Sequence, residues 1–316
     1  MKINIAEQIQ ERLSLGQPVK LLIHNKLCPG DCLVMTAAIE SLHRQYPEKF
    51  ITGVDTFCRA IFWHNPRITK FDTNDEVINF ISNFGISRNK QPPYHFMEGY
   101  VRWFQERLGI KLDLVVNRPS IYLSKRERKK EPQVEGKYWI VNAGYKTNYT
   151  AKKWRHSYFQ EVVDYFRGKI QFVQIGGKRK KHIHKPLRGA INLVGKTSLR
   201  QLMLLCYNAQ GGLGPVTCIQ HMFAAYQKPY VVLHGARESV HWTAYHTQKV
   251  LSNVGTLECC QKQACWKAQV IGGKGKEKCE LPVLDDDPTA QCMYNIKPEQ
   301  VISAIEDWYK GGTLTY

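Results

Sequence analysis

Hydrophobic and polar positions along this chain alternate between short apolar runs and longer stretches of helical period. Residues 19–25, VKLLIHN, are apolar enough for a parallel strand buried on both faces. After the turn KLCPGD, the segment CLVMTAAIESLHRQYP sets Leu33, Ala37, Ala38 and Leu42 near helical spacing and stops at Pro47. FITGVD then reads as the next strand, so the chain opens as a βαβ unit.

In the mixed stretch that follows, YHFMEGYVRWFQERLGI is the clearest helix. Residues 124–131, SKRERKKE, are charged, lack apolar content and lead into a fresh strand, YWIVNAG. The domain boundary is expected there, giving domains over residues 1–133 and 134–316. The second half repeats the alternation: SYFQEVVDYFRG as helix, IQFVQIGG as strand, TSLRQLMLLCYNA as helix, GLGPVT as a Gly/Pro loop, IQHMFAAYQ as helix and PYVVLHG as strand. A last helix should run from Pro298 to about residue 310 and close on Gly311 and Gly312. The pattern predicts two α/β halves with a cleft between them, and ligands at the carboxyl ends of parallel strands.

A chain of 316 residues, 43% of them hydrophobic, can build two cores of its own. The first twenty residues contain no apolar signal core, and no run approaches the roughly 20 apolar residues of a membrane span. A cytoplasmic location without a transmembrane segment is therefore expected. Ten cysteines in a chain of this length point to reduced thiols or metal ligands rather than to a disulfide-stapled secreted scaffold. The formal charge of +18 attracts polyanions: nucleic acid, anionic membrane, phosphorylated glycan or nucleotide. Charge does not choose among them.

Four segments offer chemistry. In CPGDCLVMTAA, Gly30 allows a tight turn and Asp31 falls at the start of a helix, where it is either an ordinary N-cap or a carboxylate able to take a proton from an incoming hydroxyl. NAGYKTNYTAKKW brings Gly144 and three lysines, Lys152 among them, to a loop after a strand, where amides and ammonium groups neutralise a departing diphosphate. Loop lysines are more often simply solvated. GLGPVTCIQHMFAAYQKP places Gly214, Thr217 and His221 around a helix start, although a lone helical histidine is more often packed than functional. The cysteine-rich loop, residues 259–292, carries Cys260, Cys265, Cys279 and Cys292 at separations of 4, 13 and 12 residues, with Cys259 as a spare. Four thiolates suffice for a structural zinc or iron ion; unligated thiols or disulfides are the alternatives.

Taken in order, these segments resemble the family 9 glycosyltransferases, the heptosyltransferase-like enzymes. KLCPGDCLVMTAAIESLHRQYP is similar to the family's opening strand, turn and helix, and AKKW to its Lys-x-Trp signature. INLVGKTSLRQLMLLCYNA resembles its Leu-x-Gly-Lys-Thr-Ser-Leu helix entry, and HMFAAYQKPYVVLHG its late His-x-x-Ala-Ala element. The late cysteine cluster before CMYNIKPEQ also resembles that of some members. The resemblance implies an α/β GT-B fold of two Rossmann-like domains facing across a cleft, and inverting transfer of a sugar from a nucleoside-diphosphate sugar, with no catalytic metal. It implies Asp31 as general base, Lys152 at the donor phosphates, and Thr217 and His221 in the late donor-binding loop. Two departures stand out. Val216-Thr217-Cys218 replaces the usual Asp-Thr/Ser-Gly, and KRKKH follows QIGG where an acidic residue often binds the ribose. The expected acceptor is an anionic glycan of the lipopolysaccharide-core type, with peripheral membrane contact. A hydroxymethylated pyrimidine in DNA, a protein hydroxyl, or a non-catalytic binding role are the alternatives.

Overall fold

A computed structural model describes residues 4–272, 275–310 and 313–314. The chain divides into two compact units, residues 1–130 and 131–316. No helix among the described residues is long and apolar enough to cross a membrane.

The first unit contains α1 (Ile5–Ser14), β1 (Val19–His24), α2 (Pro29–Gln45), β2 (Phe50–Asp55), β3 (Ile78–Ile81), α3 (Phe96–Leu108) and the single turn α4 (Lys125–Arg128). Its three strands are parallel in the order β2-β1-β3, with His24 level with Asp55 and Ile81 at their carboxyl ends. Val19, Leu21 and Ile23 are fully buried, which anchors β1 in the centre. α2 is covered on nearly all sides from Cys32 to Leu42, as its apolar composition requires. α3 ends at Gly109, whose φ of 65° is the left-handed C-cap that glycine adopts without strain. The basic stretch at the expected domain boundary is partly folded: Ser124 caps α4 and Glu127 closes the reciprocal bond.

In the second unit come β4 (Tyr138–Val141), β5 (Tyr145–Lys146), α5 (His156–Tyr165), β6 (Gln171–Gln174), β7 (His182–Ile183), β8 (Ile191–Asn192) and α6 (Leu199–Asn208). They are followed by β9 (Gly211–Pro215), α7 (Cys218–Ala225), β10 (Tyr230–Gly235), α8 (Val240–Thr243), β11 (Gln248–Ser252), α9 (Gln291–Tyr294) and α10 (Pro298–Glu306). Six strands form one parallel sheet in the order β11-β10-β9-β4-β6-β8, while β5 and β7 make a separate antiparallel ribbon. Counting only the sheet strands along the chain, this order is 3-2-1-4-5-6 with the direction of winding reversing between β4 and β9, the arrangement of a Rossmann domain.

Two expectations need correction. The Gly/Pro loop is in fact β9, a fully buried strand beside β4. Its glycines make room rather than turns: a Cβ on Gly211 would lie 2.5 Å from the Trp139 indole, and one on Gly212 would lie 2.7 Å from Tyr230 and 2.8 Å from Phe223. The last helix stops at Glu306, short of residue 310, and Gly311 and Gly312 lie outside the described residues.

Candidate active site

In the first unit the turn after β1 is built around buried Asn25. Its side-chain oxygen accepts the Leu27 N–H at 3.0 Å, and its amide donates to the Tyr100 hydroxyl at 3.2 Å. That turn delivers Asp31 to the third position of α2, not to its N-cap, which is Cys28. Asp31 Oδ2 accepts the Cys28 N–H at 3.0 Å, so the carboxylate sits over the helix start, where the dipole favours its charge. Burial raises the Cys32 thiol to about 12 and lifts the Tyr100 hydroxyl well above its ordinary value; the Asp31 charge adds to both. At the same carboxyl ends, the His24 ring is held between Asp55 at 3.0 Å and Asn79 at 2.8 Å. Sequence reading passed over this trio, although a histidine closing the first strand was a visible signal.

In the second unit the reversal between β4 and β9 is where a Rossmann sheet accepts its ligand. Here Asn142, just past β4, donates to Thr217 Oγ1 at 3.2 Å, and Lys152 Nζ reaches the Val216 carbonyl at 3.3 Å. Lys152 also pairs with Glu238 at 2.5 Å, and Arg237 bonds the same Glu238 oxygen. Burial alone would push the Glu238 carboxyl up; the Arg237 and Lys152 charges outweigh it and hold the group at about 2. The carboxylate beside Lys152 thus comes from the loop after β10, whereas Val216 supplies only its backbone. Beyond the pair, a cavity of about 170 Å³ opens among Ala143, Tyr145, Lys153, Trp154 and Asp287, space on the scale of a small ring.

The glycines and the histidine named from sequence have other neighbours. Gly144 lies against the His184 ring, as does Gly176, and a Cβ on either would come within 2.0 Å of it. Both His184 ring nitrogens are buried without a hydrogen-bond partner, and burial with the neighbouring His182 lowers the imidazole to about 4. Gly214 belongs to β9, where a Cβ would meet the Tyr230 hydroxyl at 2.7 Å. His221 is 5% exposed and its Nδ1 lies 2.8 Å from the Tyr245 hydroxyl, a packed position inside α7.

Comparison with known proteins identifies the family and the fold. The family description "Glycosyltransferase family 9 (heptosyltransferase)" matches residues 60–270, about two thirds of the chain. The chain belongs to glycosyltransferase family 9. It is a nucleotide-sugar-dependent, heptosyltransferase-like enzyme with two Rossmann-like units of the GT-B class. A family 9 glycosyltransferase from Veillonella parvula is similar in fold, with a TM-score of 0.63 at 16% identity over 92% of this chain and 96% of that one. The ADP-heptose LPS heptosyltransferase II of E. coli gives 0.61 at 13% identity over 92% and 98%. TibC of enterotoxigenic E. coli, a dodecameric iron-containing heptosyltransferase solved with ADP-D-beta-D-heptose, gives 0.64 at 16% identity over 92% and 76%. A search of curated proteins finds no match.

In this family 9 enzyme the cysteine-rich loop packs onto the core of the second unit. Cys260, Val270, Cys279 and Cys292 join the cluster of Trp139, Phe172 and Met293, and Ala264 and Ala268 are buried as well. The loop therefore has more apolar content to order it than its glycines and lysines suggest. Cys259, Cys265, Cys279 and Cys292 line a common cavity of about 10 Å³, room for one small sphere. Cys260, included in the expected ligand set, instead lies 3.4 Å from the Asn253 carbonyl. Burial and the neighbouring thiols push Cys259 up to about 12, and burial raises Cys265, Cys279 and Cys292 too. Among the described residues no group of three or more His, Cys, Asp or Glu side chains is placed to hold a metal ion. The four thiols fit a soft ion by donor type and by sharing one cavity, but their sulfurs do not converge as ligands.

Proposed function

We propose that this family 9 enzyme moves a sugar from a nucleoside-diphosphate donor, seated at the β4/β9 reversal, to a hydroxyl of an anionic glycan of the lipopolysaccharide-core type. The observation that carries the reading is Lys152, held beside Arg237 and Glu238 where the Rossmann sheet reverses. Two cations against one carboxylate leave a net positive seat, suited to a diphosphate gaining charge as its bond to the sugar breaks. Asp31 acts as the base in this reading: it takes the proton of the acceptor hydroxyl, whose oxygen forms the new bond to the anomeric carbon while the diphosphate leaves. Thr217 and Asn142 shape the donor loop, and His221 supports it from within α7. The surplus of basic residues draws the acceptor phosphates toward the protein, at the cytoplasmic face of a membrane.

The relatives direct the first experiment, since TibC was solved with an ADP-linked heptose. Thermal melting against a panel of nucleotide sugars should show its largest rise with one donor, ADP-heptose being the first to try, because a ligand specific to the folded chain stabilises it. Asp31→Ala should abolish transfer and leave that rise intact; turnover in the variant removes the base assignment. In the same reading Cys259, Cys265, Cys279 and Cys292 would have to close in on a structural zinc or iron ion, since they share a cavity without converging; Cys259 then stands in the place first given to Cys260. Elemental analysis should find about one ion per chain, lost in Cys259→Ser and kept in Cys260→Ser.

A further inference from the structure

The segment after Cys265 reaches both sides of the donor seat. On one side the Ala151 N–H donates to the Ala268 carbonyl at 3.0 Å, and the Val270 N–H to Thr150 Oγ1 at 2.8 Å, so residues 268–270 pin the turn that carries Lys152. On the other, the Cys265 N–H donates to the Ala236 carbonyl at 3.1 Å and the Trp266 N–H to the Arg237 carbonyl at 2.9 Å. One short stretch of the cysteine-rich loop thus fixes the backbone of both cationic partners of Glu238.

Trp266 stands at the centre of this contact. Its φ is +54°, a left-handed conformation that a bulky residue holds only when its surroundings enforce it. The Arg237 guanidinium lies 5.0 Å from the Trp266 ring centroid and 5.2 Å from that of Tyr149, and Trp242 packs edge-on against Trp266 at 5.1 Å. Arg237 is therefore held between two aromatic rings. Arg237 Nη1 and Lys152 Nζ bond the same oxygen, Glu238 Oε1, so the orientation of one cation sets that of the carboxylate and of the other cation. Glu238 Oε2 and Arg237 Nε are buried with no hydrogen-bond partner, which leaves the cluster incomplete by one acceptor and one donor.

We propose that Trp266 is a positioning residue of the donor site: its ring fixes Arg237 and, through the shared Glu238 oxygen, aims the Lys152 ammonium. The inference rests on the reading of Lys152 as a diphosphate contact. It also gives the cysteine-rich loop a part in nucleotide binding through a residue that carries no charge and need not touch the nucleotide.

The test is titration calorimetry with ADP on the wild type, Trp266→Leu, Trp266→Phe, Lys152→Met and the double variant Trp266→Leu/Lys152→Met. Trp266→Leu changes no charge, so long-range attraction for the nucleotide is constant across that comparison. It should weaken ADP about tenfold, the scale of a desolvated cation–ring contact, and Trp266→Phe, which restores a ring face, should recover most of the loss. The double variant should bind no more weakly than Lys152→Met, because the ring acts through the lysine. Binding by Trp266→Leu within about twofold of wild type, or equal losses with and without Lys152, overturns the proposal. Should the Leu variant fail to fold, Trp266→Phe decides: its smaller ring should weaken ADP about twofold to threefold, and no change refutes the role. If wild type and Lys152→Met bind ADP equally, the donor-seat reading itself falls and this inference with it.

Discussion

Replacing Gly211 by alanine sets two effects of opposite sign against each other. Removing a glycine from a strand restricts the unfolded chain, which favours folding by about 0.4–1 kcal/mol where the new residue fits. Here it does not fit. The added methyl would lie 2.5, 2.6 and 2.8 Å from three atoms of the Trp139 indole. That indole is 1% exposed, belongs to the residue directly across from Gly211 in the sheet and lies against the tilted Trp308 ring, so it has little room in which to retreat. Overpacking of this kind costs about 1–3 kcal/mol, so the net change is a destabilisation of about 1–2 kcal/mol. For a unit the size of residues 131–316, each kcal/mol moves the midpoint by about 2–4 °C, which predicts a fall of about 2–8 °C. Calorimetry on the full chain, following the transition of the second unit, measures it. A midpoint at or above that of the wild type would falsify the claim that these glycines exist to admit the aromatic side chains.

Asp287→Ala leaves the buried Lys153 ammonium without its carboxylate, beside the Pro288 carbonyl and the Tyr145 ring, and removes the acceptor of the His156 N–H at the head of α5. A loss of about 3 kcal/mol, seen as a lower urea midpoint at unchanged slope, is expected. Trp154→Phe deletes the bond from Nε1 to the Ile296 carbonyl at 2.8 Å and should lower stability by about 1–3 kcal/mol, whereas a neutral result would mean that carbonyl is solvated. Acid sensitivity has a definite sign at two histidines. Burial holds His184 and His234 at about 4, so between about 6.5 and 4 the unfolded chain binds more protons and stability falls as pH falls. Melting scans across that window should slope less in His184→Leu than in the wild type; parallel curves would reject the buried neutral ring. In Glu238 the folded value is depressed to about 2, so its contribution is present above about 4.5 and fades only as pH drops toward 2, below the histidine window.

The regular elements were legible wherever periodicity and punctuation agreed. β1, α2, β4, α5 and α6 are each an apolar run or helical stripe bounded by Pro, Gly or Ser, and each forms where that pattern puts it. β9 was not, because glycine reads as a turn when the residue filling its empty side comes from another strand; Trp139 and Tyr230 are invisible from GGLGP itself. Edge strands as short as Ile191–Asn192 carry no periodic signal at all. In the candidate site, Lys152 could be noticed on the loop that follows a predicted strand, and Thr217 at a predicted helix start. Glu238 could not be assigned to Lys152, since 85 intervening positions separate residues that only the sheet brings together, even though Arg237-Glu238 just after β10 offered a charged pair to notice. The same limit hid which thiols line the small cavity, Cys259 but not Cys260: adjacent thiols differ in which way the backbone turns them, and spacing is blind to that.

The winding of the second unit has a consequence for how it is made. Its first strand, β4, lies between β6 and β9, and β9 is separated from it in sequence by α5, β6, the ribbon, β8 and α6. A ribosome must therefore release the chain through Pro215 before Trp139 can be covered, and until then a nascent polypeptide exposes this large indole to chaperones.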